Sequence, residues 1–251
     1  MPRIECSLAE LDALGSALDL PVWRFPFTTP MFGGLGRAEL FAAVNASLTE
    51  RGLIHRDRFD PDLEAALRLY ATGRVSIAVN GMAGAKQITA LAVLDGARGV
   101  LAVLRDERIA FHSLPADRVA RAVVDTVPPL PAGSGGSVTL SGSPAPTVGQ
   151  QFPTTVLQRS GLPGDRAGRD LQAARRILTR PRGGGGAFLI STRGRLAEPD
   201  PGEAVSWLDT DVGRYAVTNT PGQDGRLHVT YLPADQARLE REIRRTLTKF
   251  T

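Results

Sequence analysis

Cysteine and long apolar stretches are both scarce in this chain, and their scarcity narrows the possible functions. The 251 residues include one cysteine, Cys6, so no disulfide can form within the chain. No run approaches the roughly 18–20 apolar residues that a membrane span needs. Residues 1–7 also lack the apolar stretch of a signal peptide. We therefore expect a cytoplasmic protein without a membrane span.

Histidine is also rare, which argues against a metal centre. The three histidines are His55, His112 and His228, and none of them falls in a metal-ligand spacing. His112 and His228 lie in segments predicted as strands, where a histidine on a strand face is an ordinary finding. We predict neither a metal nor a cofactor.

Lysine is nearly absent from a chain that is nonetheless basic. Of the 30 basic residues only Lys86 and Lys249 are lysines, and the net charge is +4. A bias towards arginine is as typical of a GC-rich genome as of a basic function. Residues 159–195, however, hold nine arginines beside only Asp165 and Asp170. This arginine cluster leaves open an alternative function, a basic nucleic-acid-binding protein.

Hydrophobic periodicity and turn residues predict helices and strands in a regular order. A capping box at Ser7–Glu10 predicts a helix that runs to Leu18, and a strand follows at 21–25. Further helices are expected at 37–50, 61–72, 115–127, 168–179 and 233–250, and strands at 75–80, 86–94, 99–105, 108–114, 137–140, 187–193, 203–209, 214–219 and 226–232. The short connections between successive strands make them antiparallel.

Two short segments recur at equivalent places along the chain. Asp-Leu-Glu-Ala-Ala at 62–66 returns as Asp-Leu-Gln-Ala-Ala at 170–174, in the helix before four strands. Leu-Pro-Ala-Asp at 114–117 returns at 232–235, at the corner after those strands. The matches therefore predict one helix–four-strand–helix unit used twice.

A duplicated unit of this kind predicts the fold class. Two meanders can join into one central antiparallel sheet with helices packed at either side, which is an α+β fold with a pseudo-twofold relation. We predict a single domain over 1–251, in which the halves 1–127 and 168–251 are joined by a connector at 128–167. The oligomeric state is left open.

One pair of carboxylates has the spacing of a phosphatase motif. Asp209 and Asp211 follow an apolar stretch, as the nucleophile and general acid of haloacid dehalogenases do. That chemistry sits at the end of a parallel strand, whereas here a new strand begins at Gly213. We interpret Asp209–Gly213 as an exposed hairpin turn, in which each aspartate contributes at most about 0.5 kcal/mol to stability. A hydrolase stays the third alternative, and we do not expect an enzyme.

The run Gly183–Gly186 could cradle a phosphate, because Arg180 and Arg182 flank it. It lacks the Lys-Ser/Thr of a P-loop and leads from a helix into a strand, the reverse of the usual geometry. We predict a flexible link in which glycine permits positive φ or close approach of backbones.

Several segments in combination resemble the EspG family of actinobacterial type VII (ESX) secretion chaperones. Residues 183–188, Gly-Gly-Gly-Gly-Ala-Phe, are similar to the family's Gly-Gly-Gly-Gln-Phe segment. Residues 207–215 are similar to its aromatic-Asp-Thr-x-x-Gly-Arg-Tyr hairpin. The Leu-Pro-Ala-Asp at 232–235 before a final Arg/Leu helix, and Arg-Gly-Leu at 51–53 before Pro-x-Leu at 61–63, are also family-like. The resemblance covers nearly the whole chain.

The resemblance implies both a fold and a function. The fold would be a central antiparallel sheet with two helical bundles and quasi-twofold symmetry. The function would be a cytosolic chaperone that binds the apolar helical tip of PE–PPE heterodimers and delivers them to one secretion system. Two departures, Ala187 in place of the usual Gln and a short turn at 81–85, bear on the choice of partner.

An apolar partner needs an apolar surface, and the first hairpin of the first meander offers one. Around the turn at 81–85 lie our predicted partner-binding residues, Ile77, Val79, Met82 and Ile88. Methionine suits such a role because its side chain repacks easily. Alternation along a strand does not by itself tell which face Ile77 and Val79 take.

Overall fold

A computed structural model describes residues 4–29, 37–56, 58–142, 165–193, 202–223 and 225–250. The described helices are α1 (Leu8–Leu18), α2 (Arg37–Glu50), α3 (Pro61–Thr72), α4 (Ala116–Val124), α5 (Asp165–Leu178) and α6 (Gln236–Leu247). The strands are β1 (Ile4–Ser7), β2 (Ile54–His55), β3 (Arg58–Phe59), β4 (Val75–Ala83), β5 (Lys86–Asp95), β6 (Arg98–Arg105), β7 (Arg108–Pro115), β8 (Val138–Gly142), β9 (Arg182–Thr192), β10 (Glu203–Thr210), β11 (Gly213–Pro221) and β12 (Leu227–Pro233).

Local signals place the early helices where the sequence predicts them. The Ser7 hydroxyl accepts from the Glu10 amide at 3.1 Å, and the Glu10 carboxylate accepts from the Ser7 amide at 2.8 Å, so the capping box of α1 is confirmed. Asp60 caps α3, and Pro61 takes a first-turn position where no amide is missed. The predicted bounds of α2 and α3 are also confirmed.

The segment 21–25 is irregular, so the strand predicted there is wrong. The Trp23 indole donates to Asp12 at 2.8 Å, and the Val22 carbonyl accepts from the Tyr70 hydroxyl at 2.9 Å. Hydrogen bonds that involve side chains, and not a strand ladder, hold this segment in position. The strand near the N-terminus is instead β1 (Ile4–Ser7), which pairs with β7. Its four residues are too few for hydrophobic periodicity to reveal it.

Ten strands form one sheet in the order β1-β7-β6-β5-β4-β9-β10-β11-β12-β8, and β2 pairs with β3 in a small separate sheet. The pairings of β5 with β6 and of β6 with β7 are antiparallel, as are those along β9–β12. The predicted α+β class with a large antiparallel sheet is confirmed. Each half also shows one helix, four strands and one helix in succession. Superposition of the two halves as duplicated units stays a prediction.

The chain comprises two compact units. One contains residues 1–78, 89–126 and 191–200, and the other contains 79–88, 127–190 and 201–251.

In the first unit, α3 and α4 pack on β6 and β7. Tyr70 of α3 and Phe111 of β7 are almost fully buried, with their ring centroids 5.3 Å apart in an edge-to-face arrangement. Val119 and Val123 of α4 are also fully buried. These side chains make an apolar core between the helices and the strands.

In the second unit, α5 packs on β8 and α6 packs on β10. The α5 helix buries Ala174 and Ile177 in a cluster with Val217 and Tyr231. This arrangement positions the C-terminal end of α5 near the strands that form the candidate site. Within the described residues, no helix combines the length and the apolar character that crossing a membrane requires.

Candidate functional site

A groove opens in the second unit beside the end of β4 and the start of β9. Its lining consists of Met82, Gly84, Leu178, Arg182, Gly183, Gly184, Gly185, Ser206, Trp207, Leu208, Val217 and Tyr231. The groove volume is about 450 Å³, which lies in the range of roughly 300–1,000 Å³ found for ligand sites. Among the described lining residues Arg182 is the only charged one, so the groove is apolar with one positive group.

The run Gly183–Gly186 lies inside β9, so the prediction of a flexible link is wrong. Close approach of backbones, the other part of that prediction, is present. A Cβ added at Gly184 would lie 2.5 Å from the Met82 carbonyl oxygen. One added at Gly186 would lie 2.5 Å from the Asn80 carbonyl oxygen and would overlap the Trp207 ring. A Cβ at Gly183 would meet no atom within 4 Å, so this glycine leaves the groove open.

Met82 is the accessible member of the predicted partner-binding set, with 38% of its surface exposed. It lies within β4 and not in a turn, because the strand extends to Ala83. The Gly84 amide donates to the Gly183 carbonyl at 2.7 Å. This hydrogen bond holds the end of the β4–β5 hairpin beside the start of β9, where Met82 lines the groove.

Ile77, Val79 and Ile88 are buried, with exposed fractions of 0%, 0% and 6%. Gly81 of β4 faces the Trp207 ring, and alternation along the strand puts Ile77 and Val79 on that same side, opposite to Met82. The expectation that these three residues offer a surface to a partner is therefore corrected: they are core residues of the free chain.

Asp209 is only 6% exposed, so the prediction that it lies in an exposed turn is wrong. The strand β10 continues to Thr210, and the Asp209 carboxylate accepts from Arg214 Nε at 2.6 Å and Nη2 at 2.9 Å. Arg214 is itself fully buried. Asp211 does lie in the turn, where it pairs with Arg180 at 3.1 Å.

The buried Arg214 joins several parts of the second unit. Its Nη1 donates to Gln236 Oε1 at 2.6 Å, and its Nη2 donates to the Pro128 carbonyl at 2.8 Å. The adjacent Tyr215 donates its hydroxyl to the Ser134 carbonyl at 2.8 Å. Residues 207–215, which carry much of the family resemblance, therefore tie β10 and β11 to α6 and to residues 128–134. Both oxygens of Asp209 are engaged in this network, which is structural.

In the part of the chain that the structure describes, the histidines and acids do not assemble a metal site. Among the described residues, no group of three or more His, Cys, Asp or Glu could hold a metal ion. His228 Nδ1 lies 2.8 Å from Ser141 Oγ, and the two residues are cross-strand partners on β12 and β8. His112 lies on β7, so both histidines occupy strands as predicted.

The arginines of the predicted cluster have different surroundings. Arg180 is paired with Asp211, and Arg193 donates to the Ala71 carbonyl at 2.6 Å. Arg182 is exposed and lines the groove. Arg159 and Arg195 lie outside the described residues. Nucleic-acid binding by the arginine cluster at 159–195 stays an alternative prediction.

Most of the groove residues were not predicted from the sequence. Leu178 comes from α5, Leu208 from β10 and Tyr231 from β12, so only the packing of these elements brings them together. The glycine run was the one available signal, because four residues without side chains in a strand leave space that a neighbour or a ligand can occupy.

The described residues thus combine a large antiparallel sheet, flanking helices and an apolar groove beside the start of β9. The chain belongs to the EspG family, whose model matches residues 7–245, and the predicted resemblance is confirmed. Its fold is similar to that of the Mycobacterium tuberculosis type VII secretion system chaperone EspG5, solved in complex with the PE25–PPE41 dimer. The match covers 100% of this chain and 97% of that chain, with a TM-score of 0.64 and 15% identity. No curated protein matches the chain.

Proposed function

We propose that this chain is a cytosolic chaperone that binds the apolar helical tip of a PE–PPE-like heterodimer and escorts it to a type VII secretion system. The observation that carries the proposal is the open apolar groove beside the exposed Met82, in a chain of the EspG family. The similar EspG5 was solved with a PE–PPE dimer, which supports a partner of the same class.

The groove has the physical properties that such a partner needs. An apolar tip that stays exposed to water invites aggregation, and covering it removes that liability. The lining side chains of Leu178, Leu208 and Val217 are aliphatic, and three glycines of the run at 183–186 also line the groove. Met82 adds a flexible side chain at the edge, which can adjust to the shape of an inserted residue.

A charge placed at Met82 tests the proposal directly. Met82→Asp should weaken capture of a co-expressed PE–PPE-like heterodimer about a hundredfold, because it removes apolar contact and desolvates a carboxylate on binding at a cost of a few kcal/mol. The melting temperature should change little, since Met82 is exposed in the free chain. Titration calorimetry measures the affinity, and thermal unfolding checks the stability.

Two further variants make the test specific. Met82→Leu keeps the apolar contact and should bind within a few-fold of wild type, since volume-conserving apolar exchanges are well tolerated. If Met82→Asp and Met82→Arg both hold a verified heterodimer as tightly as wild type, this end of the groove does not contact the partner.

A further inference from the structure

The groove carries one positive charge that its own surroundings do not neutralise. Arg182 begins β9, is exposed and lines the groove, while the other described lining residues are uncharged. Within the described part of the chain, no carboxylate forms an ion pair with it. Arg182 is therefore available to form an ion pair with a negatively charged group of a partner.

Arg180, only two residues earlier, differs from Arg182 because an ion pair neutralises its charge. Its Nη1 lies 3.1 Å from Asp211 Oδ2, and it is absent from the groove lining. Both arginines are exposed, and only Pro181 separates them in the sequence. The two therefore form a matched pair for experiment, because one is satisfied within the chain and the other faces the groove.

The charge of Arg182 is felt inside the groove and not only at its edge. Tyr231, on the groove wall, is 5% exposed. Burial raises the pKa of the Tyr231 hydroxyl above its usual range, while the positive charge of Arg182 acts in the opposite direction. The guanidinium thus lies near a wall of low polarity, where an ion pair is less screened than in open water.

We propose that Arg182 selects among partners by pairing with a carboxylate that lies beside the apolar residues of the bound tip. This inference rests on the proposed function and adds the chemistry of the partner. The tip should carry Asp or Glu three or four residues from its apolar anchor, because residues at that spacing share one face of a helix. A tip with Lys or Arg at that place should be rejected, since like charges brought together at an interface are strongly unfavourable.

The test uses the full chain with PE–PPE-like heterodimers produced by co-expression, starting with one that wild type captures. Arg182→Glu should weaken binding about tenfold or more, since it sets a negative charge against the partner's carboxylate. Arg182→Gln should weaken it less and reduce the dependence of Kd on salt, because a rim charge acts largely through screened attraction. The control Arg180→Gln should bind within about twofold of wild type.

A charge exchange completes the test. Replacing the partner's carboxylate with Lys should weaken binding to wild type and restore binding to Arg182→Glu. Should both Arg182 variants bind with the affinity and salt dependence of wild type, the inference is overturned while the proposed function stands. Should wild type capture no such heterodimer, the proposed function fails and the inference with it.

Discussion

Two buried carboxylates, Glu10 in the first unit and Asp209 in the second, show two ways of holding a negative charge inside this protein. Glu10 is 5% exposed and accepts from the Ser7 amide, from Ser47 at 2.7 Å and from Arg51 at 3.0 Å. Asp209 is 6% exposed and accepts from Nε and Nη2 of one guanidinium, that of Arg214.

The difference lies in the exposure of the partners. The side chain of Arg51 is 33% exposed, whereas that of Arg214 is 0% exposed. Water can approach Arg51 and partly replace a lost partner of that arginine, but it cannot reach the guanidinium of Arg214. Charge pairs of similar geometry should therefore differ in what their disruption costs, because removing one member of a buried pair leaves the other without solvation.

The largest effect is expected for Arg214→Met, which leaves Asp209 buried without its partner. The free energy of unfolding should fall by about 3–5 kcal/mol, as for other broken buried pairs. Urea unfolding at neutral pH measures the loss. The control Arg180→Met removes the exposed pair with Asp211 and should cost about 0–1 kcal/mol. Equal losses for the two variants would contradict the proposed contrast.

A smaller loss of stability is expected for Glu10→Gln. The donors Ser7, Ser47 and Arg51 lose a charged acceptor, which solvent can partly replace. We expect a loss of about 1–3 kcal/mol at neutral pH, the usual cost of leaving buried hydrogen-bonding groups unsatisfied. Urea unfolding measures this loss. A cost as large as that of Arg214→Met would remove the distinction between the two sites.

The pH dependence of this cost sharpens the comparison. Burial by itself would raise the pKa of Glu10, but hydrogen bonds from Ser7, Ser47 and Arg51 outweigh it and hold the pKa below its ordinary value of 4.5. Because the folded pKa is depressed, the stabilisation is complete above the unfolded pKa and is lost as pH falls through the folded one. The difference in free energy of unfolding between wild type and Glu10→Gln should therefore narrow below pH 4.5. A gap that stays constant on acidification would show that the Glu10 charge is not its source.

The smallest effect is expected for Ser47→Ala, which removes one of the donors to Glu10. The loss should be about 1 kcal/mol, the net contribution of a typical hydrogen bond, because Arg51 and the Ser7 amide keep the carboxylate paired. The same urea titration measures it. No loss at all would indicate that the Ser47 contact is dispensable, and a loss above that of Glu10→Gln would point to packing by Ser47.

Several elements were predictable because their signals are local. The capping box at Ser7 and the proline after Asp60 specify helix starts through atoms a few residues apart. The meanders were predictable because short turns force neighbouring strands to run antiparallel. The segment 21–25 misled, because its composition suits a strand while its hydrogen bonds go to Asp12 and Tyr70, which are distant in sequence.

The sequence alone determined the order of the helices and strands, the antiparallel meanders and the family, since these depend on periodicity, turn residues and short motifs. It did not determine which side of a strand is buried. Val79 and Met82 lie in one strand, yet the first is buried on the side where Trp207 packs near Gly81, and the second lines a groove. Likewise, Asp209 reads as a turn residue until Arg214 is placed against it. The tertiary structure decides both cases, because burial and charge pairing depend on distances between residues that local sequence does not contain.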